Sequence, residues 1–420
     1  MLSTSSATWQ LKQEFSPKTL AREVIWIWGT LLAGISVAAT LSLLFKVAEA
    51  DDWVAFVIPF LMMSTIFSIS ILVRFKMQDT REKKDRALAE RYFELGAAHY
   101  RNREYDSAIE AYLKAIELKP NYPQALYGLA VAYDDKEEYG EATTYYERTL
   151  ELFPDDPEAW YNLGTAYIRL AKFDKAISAY RESITLKPDL AEAWYNLGIA
   201  YRHHGQLEQA VTSYAEALKL SPNDANIWNN IGFVYDDIGD HGLALTAYRK
   251  ARELRPDYPQ FWNNEGIAYY FLHYYGQAIT AFLQALEQQP SYAEVWNNLG
   301  AAYGHQGEQQ SAMTALLRAV ELKTGLAEAW NNLGVVYTNQ KMYREAVISF
   351  NKALERKPEY AVTMLNKGLT LRKMGKENEA WQCFEAAAKR DHKIADLVEK
   401  MRITGVEPEP ILQPSELLAA

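Results

Sequence analysis

Cysteine is almost missing from this chain: Cys383 is the only one in 420 residues. An internal disulfide framework is thereby excluded, and a thiolate metal site has too few ligands. The histidines His99, His203, His204, His241, His273, His305 and His392 are scattered, with no H-x-x-x-H or H-E-x-x-H spacing, so inter-helix turns and solvent-facing slots account for them better than a metal does. No glycine-rich phosphate loop is present either. Positive charge is in deficit, with 44 Lys+Arg against 54 Asp+Glu and a net charge of −10, and no basic run follows the first ninety residues. A nucleic-acid backbone would be repelled rather than held. No catalytic residue, metal or cofactor is expected, and the chain is read as a non-enzyme.

What is present early is apolar. Residues 24–45 and 53–73 carry no charge. At about 1.5 Å per residue each run is long enough to cross a hydrocarbon core of roughly 30 Å as a helix. The expectation is two transmembrane helices forming a hairpin over 24–73, after an N-terminal segment 1–23 and before a charged helical connector 74–88. Cleavage of a signal peptide at Ala48-Glu49-Ala50 is the competing reading; against it, Lys46 interrupts the run and a second apolar run follows at once. Lys12, Lys18 and Arg22 precede the first run, Lys46 stands beside Glu49, Asp51 and Asp52 in the loop, and Arg74, Lys76, Arg81, Lys83, Lys84 and Arg86 follow the second. That asymmetry is expected to put both termini on the cytoplasmic side. The membrane expected is a bacterial inner membrane. No ionisable residue lies inside either run, which suits an anchor better than a transport path.

The rest of the chain is periodic. Gly96, Gly164, Gly198, Gly232, Gly266, Gly300, Gly334 and Gly368 fall in one register of thirty-four residues, with Ala130 in the vacant slot, so nine units span 89–396. Four residues before the slot stands Trp160, Trp194, Trp228, Trp262, Trp296 or Trp330, and three after it a tyrosine from Tyr133 to Tyr337. With the residue preceding the glycine these occupy i, i+3, i+4 and i+7, one face of a helix. Twelve residues after the slot an alanine occurs in all nine units, from Ala108 to Ala380, where a second helix crosses the first closely. A proline commonly ends the unit.

This pattern resembles the tetratricopeptide repeat (TPR) over about three-quarters of the chain. The resemblance implies an all-α, right-handed TPR superhelix of about nine helix-turn-helix units, with the first helix of each unit on the inner wall. The Trp, Gly, Tyr, Ala and Pro positions are then packing. Residues 393–401 are expected to form a capping helix, and the tail from Ile403 to Ala420, with Pro408, Pro410 and Pro414, is expected to be disordered.

Two positions repeat without being demanded by packing. Two residues before the slot stand Asn162, Asn196, Asn230, Asn264, Asn298, Asn332 and Asn366; just before them come Tyr127, Tyr161 and Tyr195, then Asn229, Asn263, Asn297 and Asn331. An amide carries one acceptor and two donors and can pair with both the C=O and N–H of an extended peptide. Bonding to the neighbouring repeat is the competing role. The change from Tyr to Asn suggests two contact zones, for one extended ligand or for two. TPR domains that clamp chaperone C-termini have a lysine three residues before the glycine, where this chain has Phe, Tyr, Asn or Leu. The ladder is similar to that in the TPR half of O-linked GlcNAc transferase, which implies protein-substrate binding. No counterpart of that family's catalytic domain is expected, since only about twenty-five residues follow the last unit.

Asp134/Asp135 and Asp236/Asp237, near the ends of first helices, read as a solvated face rather than a site for basic ligands. The expected function is a membrane-anchored scaffold that binds extended segments of other proteins and serves assembly of a membrane-associated complex. An accessory subunit presenting substrates to a separate enzyme such as a glycosyltransferase is the alternative, and self-association a third possibility.

Overall fold

The computed structural model describes residues 53–414, with side chains continuous from residue 73. The first apolar run, the cationic segment before it and residues 415–420 lie outside the described residues. The chain divides into two units at Arg91/Tyr92. The first is represented by the N-terminal part of α1 (Trp53–Arg101), 49 residues long, so the run 53–73 and the charged stretch after it share one helix. In that stretch Lys83 Nζ meets Asp79 Oδ2 at 2.8 Å and Gln78 Nε2 meets Glu82 Oε1 at 3.2 Å, pairs that support an exposed helix. Among the described residues no helix is long and apolar enough to cross a membrane. The side chains of 53–73 fall largely outside that description.

The second unit is all helix, and no strand occurs among its described residues. The last turns of α1 pair with α2 (Tyr105–Leu118). Then follow α3 (Pro123–Asp135) with α4 (Tyr139–Leu152), α5 (Pro157–Arg169) with α6 (Phe173–Leu186), and α7 (Ala191–His203) with α8 (Leu207–Leu220). Next come α9 (Ala225–Ile238) with α10 (His241–Leu254), α11 (Pro259–Phe271) with α12 (Tyr275–Gln288), and α13 (Ala293–Gln306) with α14 (Gln309–Leu322). The last pairs are α15 (Ala327–Asn339) with α16 (Tyr343–Arg356) and α17 (Ala361–Lys373) with α18 (Glu377–Ala388), and α19 (His392–Thr404) closes the array. Asp391 caps α19, its carboxylate accepting from the N–H groups of Lys393 and Ile394.

Each repeated residue has a steric or polar reason. The alanine of the second helix is fully buried in all nine units, Ala108 and Ala380 included. A side chain four residues further on lies against the glycine slot: a Cβ added to Gly334 would stand 2.5 Å from Phe350 Cε1. The tryptophan is a staple in five units, its indole N–H donating to a turn carbonyl six residues earlier, as Trp160 does to Pro154 O at 2.8 Å and Trp296 to Pro290 O at 2.9 Å; the Trp228 N–H has no partner among the described residues. Every turn within a unit passes through one residue of positive φ, glycine in Gly205, Gly239, Gly307 and Gly375 but Arg103, Glu137, Ala171, His273 or Lys341 elsewhere. Unit six departs from the pattern, since Glu265 takes the slot that leucine holds in Leu163 or Leu333. Its carboxylate is 3 % exposed and meets Arg252 Nε at 2.9 Å and Arg249 Nε at 3.4 Å.

Consecutive first helices also approach one another directly, α13 with α15 and α15 with α17 most closely, and so form a continuous inner wall. The C-terminal end departs from the sequence expectation. Ile403 and Thr404 belong to α19, and in the segment 405–414, expected to be disordered, residues 411–413 are bonded along that inner wall. The prolines that forbid a helix there do not forbid docking, because an extended conformation is what they favour.

Candidate functional site

The inner wall is built from three rows of the first helices: the asparagine ladder, the residue just before it, and the residue four after the glycine slot. Each ladder amide first bonds across to the preceding repeat. Asn162, Asn196 and Asn230 donate to the hydroxyls of Tyr127, Tyr161 and Tyr195 at 2.8, 3.0 and 3.0 Å. In the later units the acceptor is an amide oxygen: Asn264 donates to Asn229, Asn298 to Asn263 and Asn332 to Asn297 at 2.9 Å, and Asn366 to Asn331 at 3.0 Å. The two repeating positions are thus partners of each other, thirty-five residues apart. Burial holds the three tyrosine hydroxyls above their usual range, so they stay neutral as acceptors.

One bond of this kind leaves an asparagine with a second N–H and its carbonyl lone pairs. In the last two units the tail takes both. Asn366 Nδ2 donates to Ile411 O at 2.9 Å while its Oδ1 accepts from Ile411 N at 2.8 Å. Asn332 repeats the pair on Gln413, at 2.5 Å to the carbonyl and 2.9 Å from the N–H. Asn331 Nδ2 adds a longer contact to Ile411 O at 3.4 Å, and Asn297 Nδ2 one to Gln413 O at 3.5 Å. Two residues of extended chain therefore correspond to one repeat, and the tail runs against the order of the repeats.

Between the two clamped residues Leu412 turns into the wall and is buried. Its seat exists because Gly304 has no side chain: a Cβ there would lie 2.6 Å from Leu412 Cδ1. Tyr270 OH donates to Leu412 O at 3.2 Å, and Tyr360 OH to Gln413 Oε1 at 2.6 Å. Further out, Arg372 faces Glu407 at 3.6 Å. Burial, then the neighbouring His273, lowers the His305 pKa, and Glu409 of the tail opposes the shift.

Sequence reasoning did not single out Gly304, Tyr270, Tyr360 or the tail. A signal for the first existed: Gly304 is a glycine within a helix but off the thirty-four-residue register, and such a residue usually answers to close packing. The Tyr127–Tyr161–Tyr195 half of the ladder and the Asn297–Asn366 half are both on the wall, but the described tail touches only the latter. Asn229 is fully buried, and its Nδ2 has no partner among the described residues.

The acidic pairs are solvated only in part: Asp135 and Asp237 are exposed, as expected, while Asp134 and Asp236 are half-buried. Asp237 is paired with Arg202 at 2.6 Å, Asp135 accepts from Tyr100 OH at 2.5 Å, and Asp236 takes Tyr248 OH at 2.6 Å and His241 Nδ1 at 2.8 Å. Burial raises Asp236 against those hydrogen bonds. Burial and the adjacent Asp135 raise Asp134 from 3.8 to about 6, and its Oδ1 has no partner among the described residues. Among the described residues no cluster of His, Cys, Asp or Glu is arranged to hold a metal ion.

Comparison with known proteins falls on the same array. The middle TPR-like domain of cilia and flagella-associated protein 70 matches residues 126–255. Tetratricopeptide-repeat models match residues 93–157, 274–307, 293–324, 327–360 and 361–393. No curated protein matches the chain. Among solved structures, that of the MamA protein is 27 % identical over 40 % of this chain and 92 % of its own, with a TM-score of 0.40. MamA 41-end from Desulfovibrio magneticus RS-1 is 24 % identical over 40 % of this chain and 95 % of its own, at 0.39. The APC/C hetero-tetramer Cut9-Hcn1 is 20 % identical over 64 % of this chain and 52 % of that one, at 0.47. The period, the paired helices and the family matches coincide on one array, and the chain is a tetratricopeptide-repeat protein.

Proposed function

We propose that this protein is a membrane-tethered, non-catalytic scaffold whose inner wall holds extended segments of other proteins by their backbones. The observation that carries the reading is the pair of amide clamps, Asn366 on Ile411 and Asn332 on Gln413, each meeting a backbone N–H and C=O of one residue. A grip on backbone is indifferent to side chains, and repetition at seven rungs from Asn162 to Asn366 adds weak contacts into useful affinity. The two uncharged runs, 24–45 and 53–73, support a hairpin anchor, and the cationic flanks support a cytoplasmic array. Anchoring then raises the local concentration of clients at the bilayer, which suits assembly of a membrane-associated complex.

The test is photo-crosslinking in intact cells. A photoreactive residue goes at Tyr195, on the wall where the described tail makes no contact, and at the exposed Glu151 at the end of α4 as the comparison. Capture of one or a few heterologous proteins from Tyr195 and not from Glu151 is the expected result. Equal capture at both, or capture of this chain alone at Tyr195, overturns client binding.

A further inference from the structure

We infer that the C-terminal tail is a tethered ligand of the groove, holding the last two rungs in cis until a client displaces it, and that it displays the chemistry a client must have. The inference rests on the groove reading above and adds regulation and a recognition rule to it.

The tail is built as a ligand rather than as loose chain. In Glu409-Pro410-Ile411-Leu412-Gln413-Pro414 the two residues that must donate an N–H, Ile411 and Gln413, are flanked by prolines that have none to lose. Proline also biases its neighbours to the extended conformation, which reduces the entropy lost on docking. The intervening Leu412 fills the seat over Gly304, and Tyr270 takes the leucine's own carbonyl, so all three central residues have a backbone group engaged. Only a residue without a side chain at 304 admits a leucine at that point. The rule for a client is therefore an extended segment, antiparallel to the repeats, with free N–H groups two residues apart and a leucine-sized apolar side chain between them.

Occupancy in cis follows from tether length. α19 ends at Thr404 and the first clamped residue is Ile411, a linker short enough for an effective concentration on the order of millimolar. A free peptide that binds two rungs with a dissociation constant on the order of 10 to 100 μM would then be weakened about tenfold to a hundredfold by the tail.

The experiment is fluorescence anisotropy with a labelled peptide of sequence EPEPILQP titrated with full-length protein, either wild type or Leu412→Asp. Gly304→Ala, which closes the seat to tail and peptide alike, should bind the peptide more weakly than Leu412→Asp does, and thermal melting checks that each is folded. We expect at least tenfold tighter peptide binding to Leu412→Asp than to wild type. That binding should vanish with Asn332→Ala added, or with proline replacing the peptide's isoleucine. If wild type and Leu412→Asp bind equally and through Asn332, the tail is not a plug and the inference fails while the groove reading stands. If neither protein binds the peptide, the groove reading fails and the inference with it. A wild-type dimer that Leu412→Asp converts to monomer would overturn occupancy in cis, since the tail would then reach a second copy.

Discussion

The same substitution, glycine to alanine in a first helix, should have different consequences at Gly304 and Gly334. At Gly334 the new Cβ would meet Phe350 Cε1, Cδ1 and Cζ at 2.5, 2.7 and 2.8 Å, and that ring is fully buried between the helices of its unit. The ring must retreat by about 1 Å to reach an ordinary contact near 3.5 Å, and overpacking of this kind costs about 1–3 kcal/mol against a helix-propensity gain of about 1 kcal/mol. At Gly304 the nearest atom is Leu412 Cδ1 at 2.6 Å, the next two lie at 3.8 and 3.9 Å, and all three belong to the tail. The helix keeps its propensity gain and only the docking suffers. Six hydrogen bonds of about 1 kcal/mol each and a buried leucine of about 2 kcal/mol hold the segment 411–413. Ordering the tail opposes this at roughly 1.5 kcal/mol for each of four or five residues, so docking is favourable by no more than a few kcal/mol. Losing the leucine's contribution lowers tail occupancy by a factor of about ten or more. Hydrogen exchange of the Ile411 and Gln413 amides in the full-length protein reads the docking, and thermal melting followed by circular dichroism reads the array. Gly304→Ala should expose both amides while leaving the melting temperature unchanged or slightly raised, whereas Gly334→Ala should lower it. If Gly304→Ala destabilises the array as much as Gly334→Ala, or leaves both amides protected, the assignment of the seat is wrong.

Three further outcomes follow from the packing. Glu265→Leu, which restores the residue type of neighbouring units in place of a buried carboxylate paired with Arg252 and Arg249, should be neutral or stabilise by about 1–3 kcal/mol; a denaturant melt showing a loss above about 2 kcal/mol would contradict this. Ala171→Gly should stabilise by about 0.5–1 kcal/mol, because Ala171 sits at φ 53° where Gly205 serves the next unit; Gly205→Ala, measured alongside, should lose a similar amount. Asp134 has a folded pKa of about 6, above its usual 3.8, so the folded state holds the proton more tightly and stability falls as pH rises through that interval. After allowance for solvent screening the loss is on the order of 1 kcal/mol. Asp134→Asn should then melt above wild type at pH 7.5 and together with it near pH 4, and a gap that persists at pH 4 would refute the titration.

The array could be read from sequence because every periodic residue answers to a contact that each unit repeats. Ala108 through Ala380 sit at the helix crossing, the glycines leave room for the side chain of the second helix, and all the tryptophans but Trp228 staple the turns. The ladder was visible, and bonding to the neighbouring repeat was one of its two readings, but the partner was not, since Asn366 meets Asn331 only once two units have stacked. The tail misled for a physical reason. Three prolines and little hydrophobicity describe an unfolded segment and a groove ligand equally well, and only the complementary seat at Gly304, over a hundred residues away in sequence, separates the two. Glu265 was passed over because a period of glycines hides a charge in the adjacent slot.

The two roles weighed for the ladder, bonding between repeats and binding a ligand, turn out to need each other. A free asparagine side chain on a helix samples several rotamers, and a clamp built from it would lose entropy at every rung. The N–H that Asn366 gives to Asn331 fixes the plane of its amide, and that plane sets its other N–H and its oxygen toward one peptide unit. The identity of the neighbour then sets the strength of the grip. A tyrosine hydroxyl, as at Tyr161 for Asn196, orients the rung and has no amide N–H to add. An asparagine orients it equally well and reaches the same carbonyl, as Asn331 does to Ile411 O. Rungs from Asn264 to Asn366 therefore have a second amide beside them where those from Asn162 to Asn230 have a phenol with a single O–H, and the described tail lies on the doubled-amide half.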